Sequence, residues 1–248
     1  MKAKLPDNFT QKKSLFWLVI LILTLLRITW LYITEIELYG DEAQYWIWSQ
    51  NLDFGYYSKP PILSYIIYLT TYFLGDHEAS VRISSALIHL LVSYVVYRIS
   101  LMLVADKIAA LWCALAYATL PSVFLSSALI STDPAFMLLW ALSFLFYLKA
   151  MKRNYTRDWL LLGIFVGLGL MTKYSMGVFV LCMFCHIVIM KKFKATLQNY
   201  KLWLCGFIAL LLFLPNLYWN YQNDFPSFSH TYDLSQGRMD ERFTLKNP

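Results

Sequence analysis

Long apolar runs are the sequence feature that most constrains this chain. A helix needs about 20 mostly apolar residues to cross the hydrocarbon core of a bilayer, and seven runs reach or approach that length: 14–33, 79–104, 109–125, 134–150, 159–171, 174–190 and 202–219. The composition agrees, because 59% of the residues are hydrophobic and only 15% are charged, against about 25% charged in soluble domains. The sequence therefore predicts an all-α polytopic membrane protein with about seven transmembrane helices, and it excludes a soluble fold.

Two shorter runs call for separate interpretations. Residues 62–74 follow a proline pair and are too few to span, so we expect an amphipathic helix at the membrane surface, within a periplasmic loop. The run 159–171 contains Gly163, Gly167 and Gly169, which predict a small-residue face that lets a neighbouring helix approach closely.

The placement of charge predicts the orientation. The formal net charge is +6, but Lys and Arg concentrate in the alternate segments 2–13, 107, 149–157 and 191–201, whereas most acids fall in the other loops. By the positive-inside rule, we expect the amino terminus on the cytoplasmic side of the membrane and the acidic loops on the outside. Because the bases are spread over several short turns instead of one face, nucleic acid is excluded as a partner.

The first periplasmic loop, residues 34–78, opens with an acidic pair, Asp41 and Glu42, that leads into an aromatic helix. One interpretation is structural: Asp41 caps the helix, Glu42 occupies its first turn, and Tyr45, Trp46 and Trp48 anchor it at the interface. The other is functional, because a carboxylate at the membrane surface can take a proton from an acceptor hydroxyl. The spacing leaves both open.

Isolated cations also fall on this side. Lys59 precedes the proline pair, where it could contact lipid headgroups or hold a phosphate, and Lys173 sits between two short runs. Asp133 is expected to cap the fourth predicted span. Arg82 and Arg27 lie inside predicted spans, where a charge needs a partner or a water-filled cavity. Carboxylates and cations on one face suit transfer from a lipid phosphate, which needs a base and a charge-stabilising site.

Six motifs in order together resemble the bacterial family 39 glycosyltransferases, GT-C membrane enzymes related to aminoarabinose transferases and protein O-mannosyltransferases. The motifs are Tyr39-Gly40-Asp41-Glu42-Ala43-Gln44-Tyr45-Trp46, Tyr57-Ser58-Lys59-Pro60-Pro61, Val81-Arg82, Ser131-Thr132-Asp133-Pro134, Leu170-Met171-Thr172-Lys173-Tyr174 and Pro215-Asn216-Leu217-Tyr218-Trp219-Asn220-Tyr221-Gln222.

The resemblance implies a catalytic group and a phosphate-binding group. Asp41 would be the general base with Glu42 in support, and Asp133 would lie at the active site. Lys59 would contact the donor phosphate, and Arg82 and Lys173 would contact phosphate or a lipid headgroup.

The resemblance also implies the reaction partners. The donor would be a polyprenyl-phosphate sugar drawn from the membrane lipid, and the acceptor a hydroxyl of a glycan, lipid or protein. Transfer would invert the anomeric carbon and would need no nucleotide sugar. No cofactor is clearly required, although Asp41 and Glu42 could ligate a divalent cation.

Members of this family usually continue through more spans than this sequence contains. We therefore expect residues 1–222 to form a GT-C-like transmembrane module and 223–248 a periplasmic tail where a longer member is truncated. The alternatives are a non-catalytic remnant or binding subunit of such an enzyme and, less well supported, a lipid transporter. A transporter would place ionisable residues near the membrane midplane, and only Arg27 and His89 could qualify.

Overall fold

The computed structural model describes residues 9–34, 36–190, 193–230 and 232. Within them all regular structure is helical, which confirms the all-α prediction. The helices are α1 (Phe9–Ile33), α2 (Gly40–Gln50), α3 (Ile62–Leu74), α4 (Glu78–Leu103), α5 (Lys107–Ala118), α6 (Pro121–Ala128), α7 (Thr132–Arg153), α8 (Thr156–Leu170), α9 (Met176–Ile189), α10 (Phe193–Leu197) and α11 (Tyr200–Gln222).

Each of the seven predicted spans is helical, but fewer of them are long enough to cross a bilayer alone. Helices α1, α4, α7 and α11 have the length and hydropathy of spans, and α5 with α6 makes a fifth if the pair, bent by 52°, is one span. Helices α8 and α9 have only 15 and 14 residues, or about 22 Å at the α-helical rise. The bend between α5 and α6 falls just before Pro121, which cannot donate a helical hydrogen bond.

The predicted small-residue face on α8 is confirmed. A Cβ atom at Gly163 would lie 2.5 Å from the carbonyl oxygen of Cys205 on α11, and one at Gly167 would lie 2.9 Å from Cβ of Leu212 on the same helix. A Cβ at Gly169 would meet Met176 of α9 at 2.8 Å. Because no side chain separates the backbones, α8 packs tightly between α7 and α11.

The helix directions separate two ends of the molecule. The start of α4 packs against α2 and α3, whereas Tyr97, near its end, packs against Trp17 on the first half of α1. The described bases at the ends or starts of α5, α7, α8, α10 and α11 lie at that second end. The acidic pair and the other candidate site residues lie at the first end, so the structure keeps the two predicted groups of charges apart.

Candidate active site

The loop between α1 and α4 folds into a helical platform. Tyr45 of α2 packs with Leu63 and Ile67 of α3, Val81 of α4 and Ile130, the residue two before α7. The run predicted to lie at the surface is α3, with the same bounds, Ile62–Leu74. This apolar contact fixes α2, and therefore its two carboxylates, next to the amino-terminal ends of α4 and α7.

Glu42 is a buried structural ion-pair partner of Arg82. Its side chain and that of Arg82 are 3% and 6% exposed. Arg82 Nη2 donates to Glu42 Oε2 at 2.6 Å and Arg82 Nε donates to Oε1 at 3.0 Å. The backbone N–H groups of Ile130 and Tyr39 donate to the same carboxylate at 2.8 and 3.0 Å. The pair therefore ties the loop, α4 and the segment before α7 into one unit.

The remaining donors of Arg82 are also occupied. Nη1 donates to the carbonyl of Ile36 and Nη2 to that of Glu37, both at 2.8 Å. Arg82 thus has the partner that a charge inside a span needs. A phosphate contact needs free N–H groups, but the guanidinium of Arg82 already donates to one carboxylate and two backbone carbonyls.

The hydrogen bonds at Glu42 set its ionisation. Burial by itself raises the pKa of a carboxyl group, but the hydrogen bonds from Arg82, Ile130 and Tyr39, with the charge of Arg82, hold the pKa of Glu42 below its usual value. Glu42 is therefore a poor proton acceptor, and its four contacts leave little room for a substrate.

Asp41 differs from its neighbour in every one of these respects. It is exposed in the first turn of α2, and no described residue hydrogen-bonds or pairs with its carboxylate. The helix cap is Tyr39, not Asp41. The structural interpretation therefore applies to Glu42. The functional interpretation applies to Asp41, whose carboxylate is accessible to a ligand.

Tyr45 connects Asp41 with Asp133. It was expected at the membrane interface, but it is 6% exposed. Burial, and then the negative charges of Asp41 and Asp133, raise the pKa of Tyr45 to about 12. Both carboxylates therefore act on the same phenol, which keeps its proton at neutral pH and can donate a hydrogen bond.

Asp133 pairs with Lys173 at the mouth of this site. Lys173 Nζ lies 2.7 Å from Asp133 Oδ1, and the side chains are 38% and 58% exposed. The prediction that Asp133 caps its helix is wrong, because the hydroxyl of Ser131 accepts from the backbone N–H of Asp133 at 3.3 Å. That cap leaves the Asp133 carboxylate to the lysine.

The segment that carries Lys59 is hydrogen-bonded to the segment that carries Lys173. The N–H of Ile62, three residues further on, donates to the carbonyl of Met171 at 3.2 Å, two residues before Lys173. The Lys59 side chain is half-buried, and its ammonium has no hydrogen bond or ion pair with a described residue. The structure therefore brings two cations, from the first loop and from the turn after α8, to one end of the molecule.

Sequence reasoning missed the contacts between this loop and the end of α11. Trp219 Nε1 donates to Asp53 Oδ2 at 2.7 Å, and Asn216 Nδ2 donates to the carbonyl of Phe54 at 2.8 Å. A Cβ at Gly55 would lie 2.3 Å from the Trp219 ring, so only glycine fits there. Asn216 and Trp219 of the last motif could have predicted these contacts, since polar side chains at the end of an apolar helix need hydrogen-bond partners.

The first residues beyond α11 pack on this loop as well. Ser227 Oγ donates to the carbonyl of Tyr56 at 2.6 Å, and the Phe228 ring stacks on Tyr174 with centroids 4.7 Å apart. Residues 223–230 therefore contact the helical module directly; the rest of the predicted tail, apart from residue 232, lies outside the described residues.

A metal centre at the acidic pair is not built by the described residues alone. They contain no group of three or more His, Cys, Asp or Glu side chains placed to hold an ion. Both oxygens of Glu42 already accept hydrogen bonds, which leaves Asp41 without a second carboxylate ligand.

The chain is similar to known proteins. The family described as dolichyl-phosphate-mannose-protein mannosyltransferase matches residues 58–219. The lipid A galacturonosyltransferase RgtD of Rhizobium johnstonii is 33% identical over 219 residues, which are 88% of this chain and 46% of that protein. The lipopolysaccharide core galacturonosyltransferase RgtB of the same organism is 25% identical over 181 residues, 72% of this chain and 36% of that protein.

A solved structure shares the fold. The crystal structure of ArnT from Cupriavidus metallidurans in the apo state superposes with a TM-score of 0.72 at 18% identity, over 88% of this chain and 44% of that one. The chain spans less than half the length of each of these three proteins.

Proposed function

The chain belongs to the dolichyl-phosphate-mannose-protein mannosyltransferase family, and from this premise we propose that it transfers a sugar from a polyprenyl-phosphate donor to an acceptor hydroxyl with inversion. The observation that carries the proposal is the contrast within the acidic pair. Glu42 is held by Arg82 and two backbone N–H groups, whereas Asp41 is exposed beside the buried phenol of Tyr45.

In the proposed reaction Asp41 is the general base. Its carboxylate accepts the proton of the acceptor hydroxyl as the hydroxyl oxygen attacks the anomeric carbon. The bond from that carbon to the phosphate oxygen breaks, and its electron pair leaves with the polyprenyl phosphate. One displacement of this kind inverts the configuration at the anomeric carbon. Glu42 and Arg82 act as positioning residues, since they hold the turn that carries Asp41.

The leaving phosphate needs positive charge, and two lysines can supply it. Lys59 has no described ion-pair or hydrogen-bond partner, and Lys173 pairs with the half-exposed Asp133. A phosphate that displaces Asp133 from Lys173 exchanges one anion for another, so the ammonium stays neutralised throughout. Asp133 then serves to place Lys173 before the donor binds.

The test is transfer from radiolabelled polyprenyl-phosphate sugars in membranes that contain this chain. We expect Asp41→Asn to lower the initial rate at least 100-fold, because base catalysis is typically worth 10²–10⁴-fold. Glu37→Gln, which removes an exposed acid four residues earlier in the loop, is the matched control and should keep the wild-type rate. Equal rates for Asp41→Asn and wild type would refute the assignment. The anomeric configuration of the product, read by NMR, tests inversion separately.

The relatives indicate which sugar and acceptor to try first. Both curated relatives are named as galacturonosyltransferases, one for lipid A and one for the lipopolysaccharide core. We therefore propose galacturonic acid as the sugar and a lipid A or core hydroxyl as the acceptor. Polyprenyl phosphates carrying galacturonic acid, galactose or mannose are to be compared, and a preference for a neutral sugar would contradict this choice.

A second candidate is a binding subunit that holds the lipid donor without transferring its sugar. The cations at this end of the molecule support it, because the ammonium of Lys59 has no hydrogen bond or ion pair with a described residue and can hold a phosphate without any transfer step. Retention of the polyprenyl-phosphate sugar in detergent, lost in Lys59→Gln, together with no transfer in any membrane preparation, would favour binding over catalysis. A transporter would instead move lipid or solute across vesicles without forming a new glycosidic bond.

The orientation of the chain in the membrane and the requirement for a divalent cation are predictions, and each has a direct test. We propose an inner-membrane location with the amino terminus in the cytoplasm and the site in the periplasm; a topology reporter inserted after Lys59 should report the periplasm, and a cytoplasmic signal would overturn the placement. EDTA in the transfer assay, followed by Mg²⁺ or Mn²⁺, tests the divalent cation at Asp41.

A further inference from the structure

A cavity of about 740 Å³ opens between α1, α5 and α6, away from the candidate active site. Its walls are almost wholly apolar and include Leu26, Trp30, Phe124 and Leu125. None of the lining residues is a candidate site residue, and helix α4 packs against all three of these helices as well as against α3 and α7. The cavity is therefore a separate feature.

One cation, Arg27, reaches into this apolar cavity. The residue is 9% exposed, and its Nη2 donates to the carbonyl of Ala118, the last residue of α5 before the bend. No other hydrogen bond and no carboxylate partner of Arg27 occurs among the described residues, although Tyr117 lies within electrostatic range. A guanidinium has five N–H donors, so most of them have no acceptor among the described residues, and Arg27 lines the cavity.

Arg27 lies within α1, near the end of that helix. It lies six residues before the end of α1 at Ile33, or about 9 Å along the helix, and that end leads into the loop of the candidate active site. A lone charge at this depth inside a span normally has a partner or marks a binding site. Among the described residues its hydrogen-bond acceptor is a neutral carbonyl oxygen, so an anion would supply the counter-charge.

The charge and the wall chemistry select the kind of anion. Apolar walls that open sideways between helices fit an alkyl chain, and a guanidinium binds phosphate oxygens in a forked geometry. A phosphate monoester carries nearly two negative charges at neutral pH, which one arginine only half neutralises. A phosphodiester carries one and is matched by one guanidinium.

We propose that the α1–α5–α6 cavity binds an anionic phospholipid of the bilayer, with its phosphodiester on Arg27 and an acyl chain along the apolar wall. The bound lipid completes the hydrogen bonding of Arg27 and fills the space left by the 52° bend between α5 and α6. This site is distinct from the proposed transfer reaction, and its test does not depend on activity.

The test is native mass spectrometry of the protein equilibrated with equal amounts of phosphatidylglycerol and phosphatidylcholine. We expect the wild type to retain one phosphatidylglycerol and Arg27→Gln to retain at least tenfold less. Arg98→Gln is the matched control, because Arg98 lies on α4 and its guanidinium donates to Tyr94 on the same helix at 2.7 Å. That variant should bind lipid as the wild type does.

A second variant keeps Arg27 and blocks the cavity. Leu26 lines it and is 61% exposed, so Leu26→Trp should fill part of the space while Arg27 is retained, and it should also lose the lipid. Equal retention of both lipids by the wild type, or wild-type retention by Leu26→Trp and Arg27→Gln, would overturn the proposal. Displacement of phosphatidylglycerol by an equimolar polyprenyl-phosphate sugar, which is also a phosphodiester, would overturn it too, because the occupant would then be the sugar donor.

Discussion

Two buried arginines, one in the platform and one in the cavity wall, show how differently a membrane protein can treat the same charge. Arg82 is 5% exposed and Arg27 is 9% exposed, so burial does not distinguish them. Arg82 meets a carboxylate and two carbonyls, whereas Arg27 meets one carbonyl. The two arginines are therefore distinguished by their protein partners and not by the extent of their burial.

The regions around the two arginines differ in the same way. Near Arg82, apolar side chains from α2, α3 and α4 pack together, the ion pair is buried, and the loop is also hydrogen-bonded to α11 through Trp219 and Asp53. Around Arg27, α6 turns away from α5 and leaves a cavity. Arg82, which is neutralised by Glu42, lies in a closely packed region, whereas Arg27, which has no carboxylate partner among the described residues, lines a cavity.

Breaking the ion pair should have the largest effect on stability. Glu42→Gln leaves the Arg82 charge buried without a counter-charge, and loss of one partner of a buried pair costs about 3–5 kcal/mol. We expect a fall of that size in the free energy of unfolding, measured by SDS titration from detergent micelles. The double variant Glu42→Met with Arg82→Met should recover part of it; a loss below about 1 kcal/mol in the single variant would contradict the structural role of the pair.

Acid should weaken the same region by a smaller amount. The pKa of Glu42 is below its usual value in the folded protein, so the pair stabilises fully above the unfolded value of about 4.3. That stability is lost as the pH falls through the lower folded pKa. The wild type should therefore lose more stability between pH 5 and pH 3 than Glu42→Gln does. Arg27→Gln, which changes no carboxylate, should follow the wild-type profile, and a flattened profile there would contradict the comparison.

Removing the second arginine should cost less than breaking the pair. Arg27→Gln loses one hydrogen bond to a neutral carbonyl, worth about 1.5–3 kcal/mol when the donor is charged, and it also removes an unpaired charge from an apolar wall. The two effects oppose each other, so we expect a net loss below about 2 kcal/mol in the same SDS titration. A loss as large as that of Glu42→Gln would mean that Arg27 has a structural role equal to that of Arg82.

The exposed ion pair should contribute least to stability. Asp133 and Lys173 are 58% and 38% exposed as side chains, and such pairs contribute about 0–1 kcal/mol. Asp133→Asn should therefore leave the unfolding free energy almost unchanged while it alters the transfer rate. Titration in 50 mM and 500 mM NaCl checks the stability part, since any small contribution from an exposed pair should disappear at high salt.

The sequence determined the class of fold and predicted which charged residues lie together at one end of the molecule. Hydrophobic runs and charge placement predicted the membrane helices, because burial in lipid requires apolar side chains and satisfied backbone groups wherever the chain spans. It also predicted the close approach of α8 through Gly163 and Gly167. It overcounted full-length spans, because hydropathy does not register the bend at Pro121 or the turns that shorten α8 and α9.

Only the tertiary structure decided which of two adjacent acids is free. Asp41 and Glu42 have the same charge and neighbouring positions, but the helical rotation between consecutive residues sends Glu42 inward to Arg82, 40 residues away, and leaves Asp41 outside. The same holds for the arginines, since their partners come from distant segments. Sequence fixes which charges exist and near which end they lie; packing decides which of them are neutralised, because neutralisation depends on contacts a few ångströms long between segments far apart in the chain.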